Sequence, residues 1–149
     1  ASTLEQAGDF DGAVSMFQAI LRSTPDDARV LNYLGYMWAD RGVRLQEAHK
    51  LISRALEQQP ESGAFLDSMG WVLFRMERYK EAEPFIERAI EREGQHPVLL
   101  DHMGDLLSAL GRREEARVYW ERSLSLDPGN AKIQQKLDTY TANSPDTTH

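Results

Sequence analysis

The 149-residue sequence predicts an all-α solenoid built from antiparallel helix pairs. One string of residues recurs almost regularly, and its glycine stands at Gly35, Gly70 and Gly104, which are 35 and 34 residues apart. Apolar residues recur three, four and seven positions apart in each copy, as on one face of an α-helix, and no stretch alternates like a β-strand. A helical hairpin of about 34 residues cannot bury its apolar side alone, so the copies must stack on one another.

Each copy has a second half with its own helical period and a short turn between the halves. Glycine marks three of these turns, at Ala7-Gly8-Asp9, Arg41-Gly42-Val43 and Leu110-Gly111-Arg112, whereas Met76-Glu77-Arg78 has none. Proline ends the second helices, because it cannot continue a helix. We expect the helices to cross closely at the three repeated glycines and at the small residues Ala48, Ala82 and Ala116. We also expect Trp38 and Trp120 to lie in the core.

The repeat period divides the chain into six parts. We predict a partial first repeat over residues 1–27 and a helix with Ile133 and Leu137 on its apolar side that caps the array over 131–141. The polar stretch 142–149 is predicted to be disordered. Between them lie three full repeats, at residues 28–62, 63–96 and 97–130.

Composition excludes several functions. With 17 Lys and Arg against 24 Asp and Glu, the net charge of −7 disfavours nucleic acid and anionic lipid as partners. No apolar run reaches the roughly 18 residues of a spanning helix, so we expect no direct membrane insertion. Without cysteine there are no thiolate ligands or nucleophiles, and the histidines form no metal-binding pair. We therefore expect no enzyme, cofactor or metal site, and exposed histidines at all four positions: His49, His96, His102 and His149.

The repeated motif resembles the tetratricopeptide repeat. Its elements are Leu-x2-Leu/Met-Gly in the first helix, Ala-x3 followed by a large residue in the second, and a closing Pro, over roughly residues 1–130. This resemblance implies a right-handed superhelical solenoid whose concave surface is lined mainly by the first helices. It also implies a non-catalytic scaffold for protein binding, with peptides bound on that surface.

A second resemblance is narrower. The strings Leu31–Tyr36, Ala39–Gly42 and Gly63–Val72 are similar to repeats near the C-terminus of proteobacterial envelope lipoproteins. That group includes adaptors for carboxyl-terminal processing proteases. The resemblance implies a bacterial, periplasmic or outer-membrane-associated protein, although the lipid-modified cysteine of such proteins is absent. A cytoplasmic location stays open.

Helical spacing defines a candidate binding surface, the concave face. Residues three before and one after each repeated glycine lie four apart and share one side of the first helix. The face is acidic and aromatic, and we predict a partner segment of basic and apolar character. Packing of Trp71 between helices and simple solvation of the carboxylates are the alternatives. The predicted site comprises Asn32, Tyr36, Asp40, Asp67, Trp71, Phe74, Arg75, Asp101 and Asp105.

Two further expectations concern partners. Tetratricopeptide co-chaperones that hold an acidic C-terminal tail use Lys and Asn on this face, whereas carboxylates occupy three of the six matching positions here, so we predict that such tails are not bound. The alternative function is self-assembly. An apolar patch of Phe10, Phe17 and Leu21 in the first repeat would then form a homodimer.

Overall fold

The computed structural model describes the backbone of residues 3–142 and the side chains of residues 8–140. Helices account for all regular structure in this part of the chain, with no strand, which confirms the all-α prediction. The helices are α1 Thr3–Ser23, α2 Ala28–Arg41, α3 Leu45–Gln58, α4 Gly63–Arg75, α5 Tyr79–Glu93, α6 Pro97–Ala109, α7 Arg113–Leu126 and α8 Ala131–Ala142.

The helices pack as successive hairpins. The pairs α2/α3, α4/α5 and α6/α7 make the most extensive contacts, and each is joined by a turn of only three residues. The first helices also pack on one another, α2 on α4 and α4 on α6, while α1 packs on α2 and α8 on α7. This arrangement is the stacked helix-pair solenoid that the repeat predicts. None of the described helices is both long and apolar enough to cross a membrane.

Helix α1 departs from the prediction. The turn expected at Ala7-Gly8-Asp9 is absent, because α1 runs without interruption through Gly8 and Gly12. A side chain at either glycine would meet nothing within 4 Å. No helix precedes α1 in the described residues, so a turn here would lack the packing that stabilises the other turns, and the intrahelical hydrogen bonds continue instead.

The three turns within the hairpins share a left-handed residue. Gly42 and Gly111 have φ of +72° and +81°, a conformation that glycine adopts without steric cost. The hairpin without glycine places Glu77 there instead, at φ +62°. A left-handed residue with a side chain costs about 1–2 kcal/mol, so this turn is held by the packing on both sides of it.

First and second helices begin differently. The first helices are capped by side chains that accept hydrogen bonds from backbone N–H groups: Asp27, Ser62 and His96. The second helices have no such cap and start after an arginine that pairs with a glutamate three residues later. These pairs recur with the repeat: Arg44–Glu47, Arg78–Glu81 and Arg112–Glu115.

The repeated glycines lie where the two helices of a pair cross. A Cβ atom on Gly35 would lie 2.7 Å from Cγ1 of Ile52, and one on Gly70 or Gly104 would overlap Ile86 or Trp120. Ala48, Ala82 and Ala116 of the second helices are buried too, which confirms the predicted crossings. Trp38 and Trp120 are also buried, as predicted for core residues.

Helix α8 follows the last full repeat. Asn130 accepts a hydrogen bond from the N–H of Ile133 and starts the helix. Ile133 is fully buried in the same apolar core as Trp120, and Leu137 packs against it. The predicted disordered tail falls, apart from Ala142 in the last turn of α8, outside the described residues.

Candidate functional site: the face formed by the first helices

The predicted concave-face residues occupy one continuous surface of α2, α4 and α6, but they differ in exposure. Asn32, Asp67 and Trp71 are buried, and of the nine only Asp40 and Arg75 are exposed. The remaining four are partly buried: Tyr36, Phe74, Asp101 and Asp105.

Trp71 lies in the middle of an aromatic stack. Its ring is 4.9 Å from that of Phe74 and 4.0 Å from that of His102, both nearly parallel to it. Its indole N–H donates to Oδ1 of Asp40 at 3.3 Å, and only 7% of the residue is exposed. Trp71 therefore packs between neighbouring first helices, and its ring is largely unavailable to a partner.

His102 corrects the prediction of exposed histidines. It is 5% exposed, and its Nδ1–H donates to Oδ1 of Asp67 at 2.8 Å. The residue lies one position after Asp101 on α6, and its ring contacts Asp67 and Trp71 of α4. Asp67, predicted as part of an open acidic surface, is the buried partner of this histidine. His96 is exposed and His49 partly buried, while His149 lies outside the described residues.

Lys136 of α8 is the residue on this face that sequence reasoning missed. Its ammonium donates to Asp101 at 2.7 Å and also bonds to Asp105, with the nearer oxygen at 2.9 Å. The signal was present in the repeat, since Asp101 and Lys136 are 35 residues apart, as are Asp67 and His102. Extending the period onto α8 would have predicted this ion pair.

The electrostatics of the face follow from these contacts. Burial raises the pKa of Asp105, although Lys136 opposes the shift. Burial alone would lower the pKa of Lys136, but its bonds to Asp101 and Asp105 outweigh that effect and raise it. The pKa of Tyr36 is raised well above its usual range by burial and then by the negative charges of Asp40, Asp67 and Asp101. The charges of these three carboxylates therefore act on Tyr36 in the same direction as its burial.

An open groove continues the face towards the end of the array. This α8 groove has a volume of about 880 Å³ and is lined by residues of α4, α6, α7 and α8. Such a volume is within the range of natural ligand sites. Its lining mixes aromatic, small and cationic side chains: Phe74, Asp105, Ser108, Ala109, Arg113, Trp120, Lys132, Gln135, Lys136, Thr139 and Tyr140.

The face offers no arrangement for metal binding. Among the described residues, no group of three His, Asp or Glu side chains is placed to hold an ion. What the surface presents is partly buried aromatic rings, a small set of carboxylates and the α8 groove.

Comparison with known proteins identifies the family. One tetratricopeptide repeat family model matches residues 1–62 and 44–97, and a second matches residues 97–130. The chain belongs to the tetratricopeptide repeat family. Tetratricopeptide repeats form protein-interaction modules that are generally non-catalytic.

A curated relative is bacterial. The TPR repeat-containing protein PA4667 of Pseudomonas aeruginosa is 46% identical over 56 residues, which are 38% of this chain. The matched segment spans about 10% of the length of that protein. The sequence similarity therefore covers only a short part of that longer protein.

Solved tetratricopeptide structures share the fold. MamA 41-end from Desulfovibrio magneticus RS-1 superposes with a TM-score of 0.76 at 20% identity, covering 95% of this chain and 79% of that one. The first TPR domain of human RPAP3 gives 0.71 at 23% identity, covering 79% and 92%. The first TPR of Spaghetti (RPAP3), bound to the HSP90 peptide SRMEEVD, gives 0.70 at 23% identity, covering 77% and 90%.

Proposed function

We propose that this tetratricopeptide array binds a segment of a partner protein along the concave face and in the α8 groove, as a non-catalytic adaptor. The observation that carries the proposal is the α8 groove itself. It is an open space of about 880 Å³ with partly buried Phe74 and buried Trp120 in its lining. Apolar side chains of a partner would displace water from the partly exposed ring of Phe74 and from the exposed Ala109. Release of such water is the main source of binding free energy at interfaces.

The partner is proposed to carry a basic residue at the α2 end of the face. Asp40 is exposed there, and its negative charge, after burial, is one of the causes that raise the pKa of Tyr36. The bonds of Lys136 to Asp101 and Asp105 show that these carboxylates accommodate an ammonium. Since that pair and Asp67–His102 are already satisfied within the chain, Asp40 is the carboxylate best placed for a partner's cation.

Peptide binding by a related fold supports the general mode. The Spaghetti domain is bound to the HSP90 peptide SRMEEVD, so a tetratricopeptide domain of similar fold binds a short peptide. Our prediction that acidic C-terminal tails are not bound rests on charge repulsion by the carboxylates at Asp67, Asp101 and Asp105. The wider role, as part of an envelope lipoprotein that serves a protease, rests on the sequence resemblance alone.

A random 12-residue peptide library displayed on phage tests this proposal. Peptides enriched on the protein should include a class that binds the Ser108→Trp variant at least ten-fold more weakly, because Ser108 is exposed and lines the α8 groove. Ser15→Trp is the matched control, an exposed helical serine on α1 that should change affinity less than two-fold. Equal binding to both variants, or no enriched peptide, would overturn the proposal.

Self-assembly is a second candidate, supported by one observation. The patch predicted to drive it is covered, since Phe10, Phe17 and Leu21 are partly buried against the core. The exposed apolar side chains lie beside it instead: Met16, 53% exposed, and Tyr33, 50% exposed. Sedimentation equilibrium should then show a dimer that Met16→Glu dissociates, and a monomer at all concentrations would exclude this candidate.

A further inference from the structure

We propose a second binding site, in the groove between α1 and α3 on the side of the array formed by the second helices, for a partner segment that carries Asp or Glu beside an apolar residue. This α1–α3 groove is separate from the α8 groove and has a volume of about 620 Å³. It is lined by Gln18, Leu21, Arg22, Leu34, Trp38, Glu47, Lys50, Leu51 and Arg54.

The floor of the groove is apolar. Leu34 and Trp38 of α2 are buried at its base, and Leu21 and Leu51 are partly exposed on its two walls. A single leucine or phenylalanine side chain would fit between those walls and remove them from water.

The rim of the groove is cationic. Arg22 and Lys50 are exposed, and neither has a hydrogen-bond or ion-pair partner among the described side chains. The other two charged residues are occupied outside the groove, Arg54 by Asp26 at 2.9 Å and Glu47 by Arg44 at 3.7 Å. Two uncompensated positive charges therefore face the opening, in a chain whose net charge is −7.

Comparison with the next repeat shows that this charge is specific to the site. The corresponding groove between α3 and α5 has a volume of about 390 Å³ and one charge of each sign in its lining, Glu57 and Arg88. The α1–α3 groove is larger and has an excess of positive charge. Long polyanions such as nucleic acid would meet the acidic remainder of the surface, whereas a short acidic segment would contact only the rim.

The same random 12-residue library distinguishes this site from the concave face. Peptides enriched on the protein should include a class that binds the Arg22→Glu/Lys50→Glu variant at least ten-fold more weakly. That class should contain Asp or Glu next to an apolar residue, and it should shift the indole N–H signal of Trp38 in a ¹⁵N NMR spectrum.

Arg29→Glu/Lys80→Glu is the matched control, because it makes the same change in net charge at two exposed positions outside both grooves. Its affinity for these peptides should stay within three-fold of the unmodified protein. The inference is overturned if no peptide depends on Arg22 and Lys50, if the dependent peptides lack acidic residues, or if the Trp38 signal does not move.

The same variants distinguish two further outcomes of the binding experiments. If enriched peptides respond to Ser108→Trp and none responds to Arg22→Glu/Lys50→Glu, the proposed function stands and this second site is refuted. A dimer of the unmodified protein that Arg22→Glu/Lys50→Glu dissociates would make a second copy of the chain the occupant and would also overturn the inference.

Discussion

Gly70 and Trp71 are neighbours in the chain, but the residue type at the first position is the same in each full repeat and at the second it varies. Gly70 lies at the crossing of α4 with α5, where each repeat has a glycine, and a side chain would overlap Ile86. Trp71 lies on the concave face, where the corresponding residues are Tyr36 and Asp105. Packing within a hairpin imposes one residue type in every repeat, whereas contacts between repeats permit a different chemistry in each. The constant positions therefore encode the fold, and the variable ones are the positions at which we propose binding.

Replacing Trp71 tests whether the concave face is also part of the core. Trp71→Ala should reduce the free energy of unfolding by about 3–5 kcal/mol, because it removes a buried ring stacked on Phe74 and His102. Urea unfolding followed by circular dichroism measures this. A change below about 1 kcal/mol together with lost peptide binding would show that Trp71 acts mainly as a binding residue.

Replacing Gly70 tests whether α4 and α5 cross too closely for a side chain at this position. Gly70→Leu should cost roughly 2–4 kcal/mol through overpacking against Ile86. Gly12→Leu is the control, since this helical glycine faces open space and its replacement should stabilise the protein by up to about 1 kcal/mol. Equal effects of the two substitutions on the urea midpoint would contradict the packing assignment.

Replacing Lys136 should change the free energy of unfolding least, and this change should depend on pH. Lys136→Met should reduce stability at pH 7 by about 1 kcal/mol, because the ion pairs with Asp101 and Asp105 are partly exposed. The pKa of Lys136 is raised in the folded state, so its contribution is fully present below the unfolded-state pKa of about 10.4 and is lost as the pH rises through the folded-state pKa.

Thermal melts between pH 9 and 12 measure this difference. The unmodified protein should lose stability more steeply than Lys136→Met over that range. The raised pKa of Tyr36 acts in the same direction in both proteins, so it cancels in the comparison. Parallel pH profiles would show that the ion pairs do not contribute.

The sequence predicted the features that depend on contacts within one repeat. The helix pairs, the glycine crossings and the buried Trp38 and Trp120 follow from residues that recur at the repeat period. The missed features depend on contacts between repeats. Those contacts join residues 31 or 35 apart, as in Asp40–Trp71 and Asp67–His102, and a pattern within one helix does not contain them.

The departure of α1 has a different cause. Its Gly8 matches the turn glycines at Gly42 and Gly111 in sequence, but those turns are stabilised by the two helices that they join. A glycine in the sequence was therefore not enough to form a turn at Gly8, where no second helix packs across it in the described residues.

The three tryptophans of the chain give the most direct test of the proposed function. A library peptide whose affinity depends on Ser108 should be titrated into ¹⁵N-labelled protein while the indole N–H signals are followed. Trp120 lines the α8 groove and Trp71 adjoins it through Phe74, whereas Trp38 lines the α1–α3 groove. We predict that the Trp71 and Trp120 signals shift and that the Trp38 signal does not. Movement of Trp38 alone, or of none of the three, would contradict binding on the concave face.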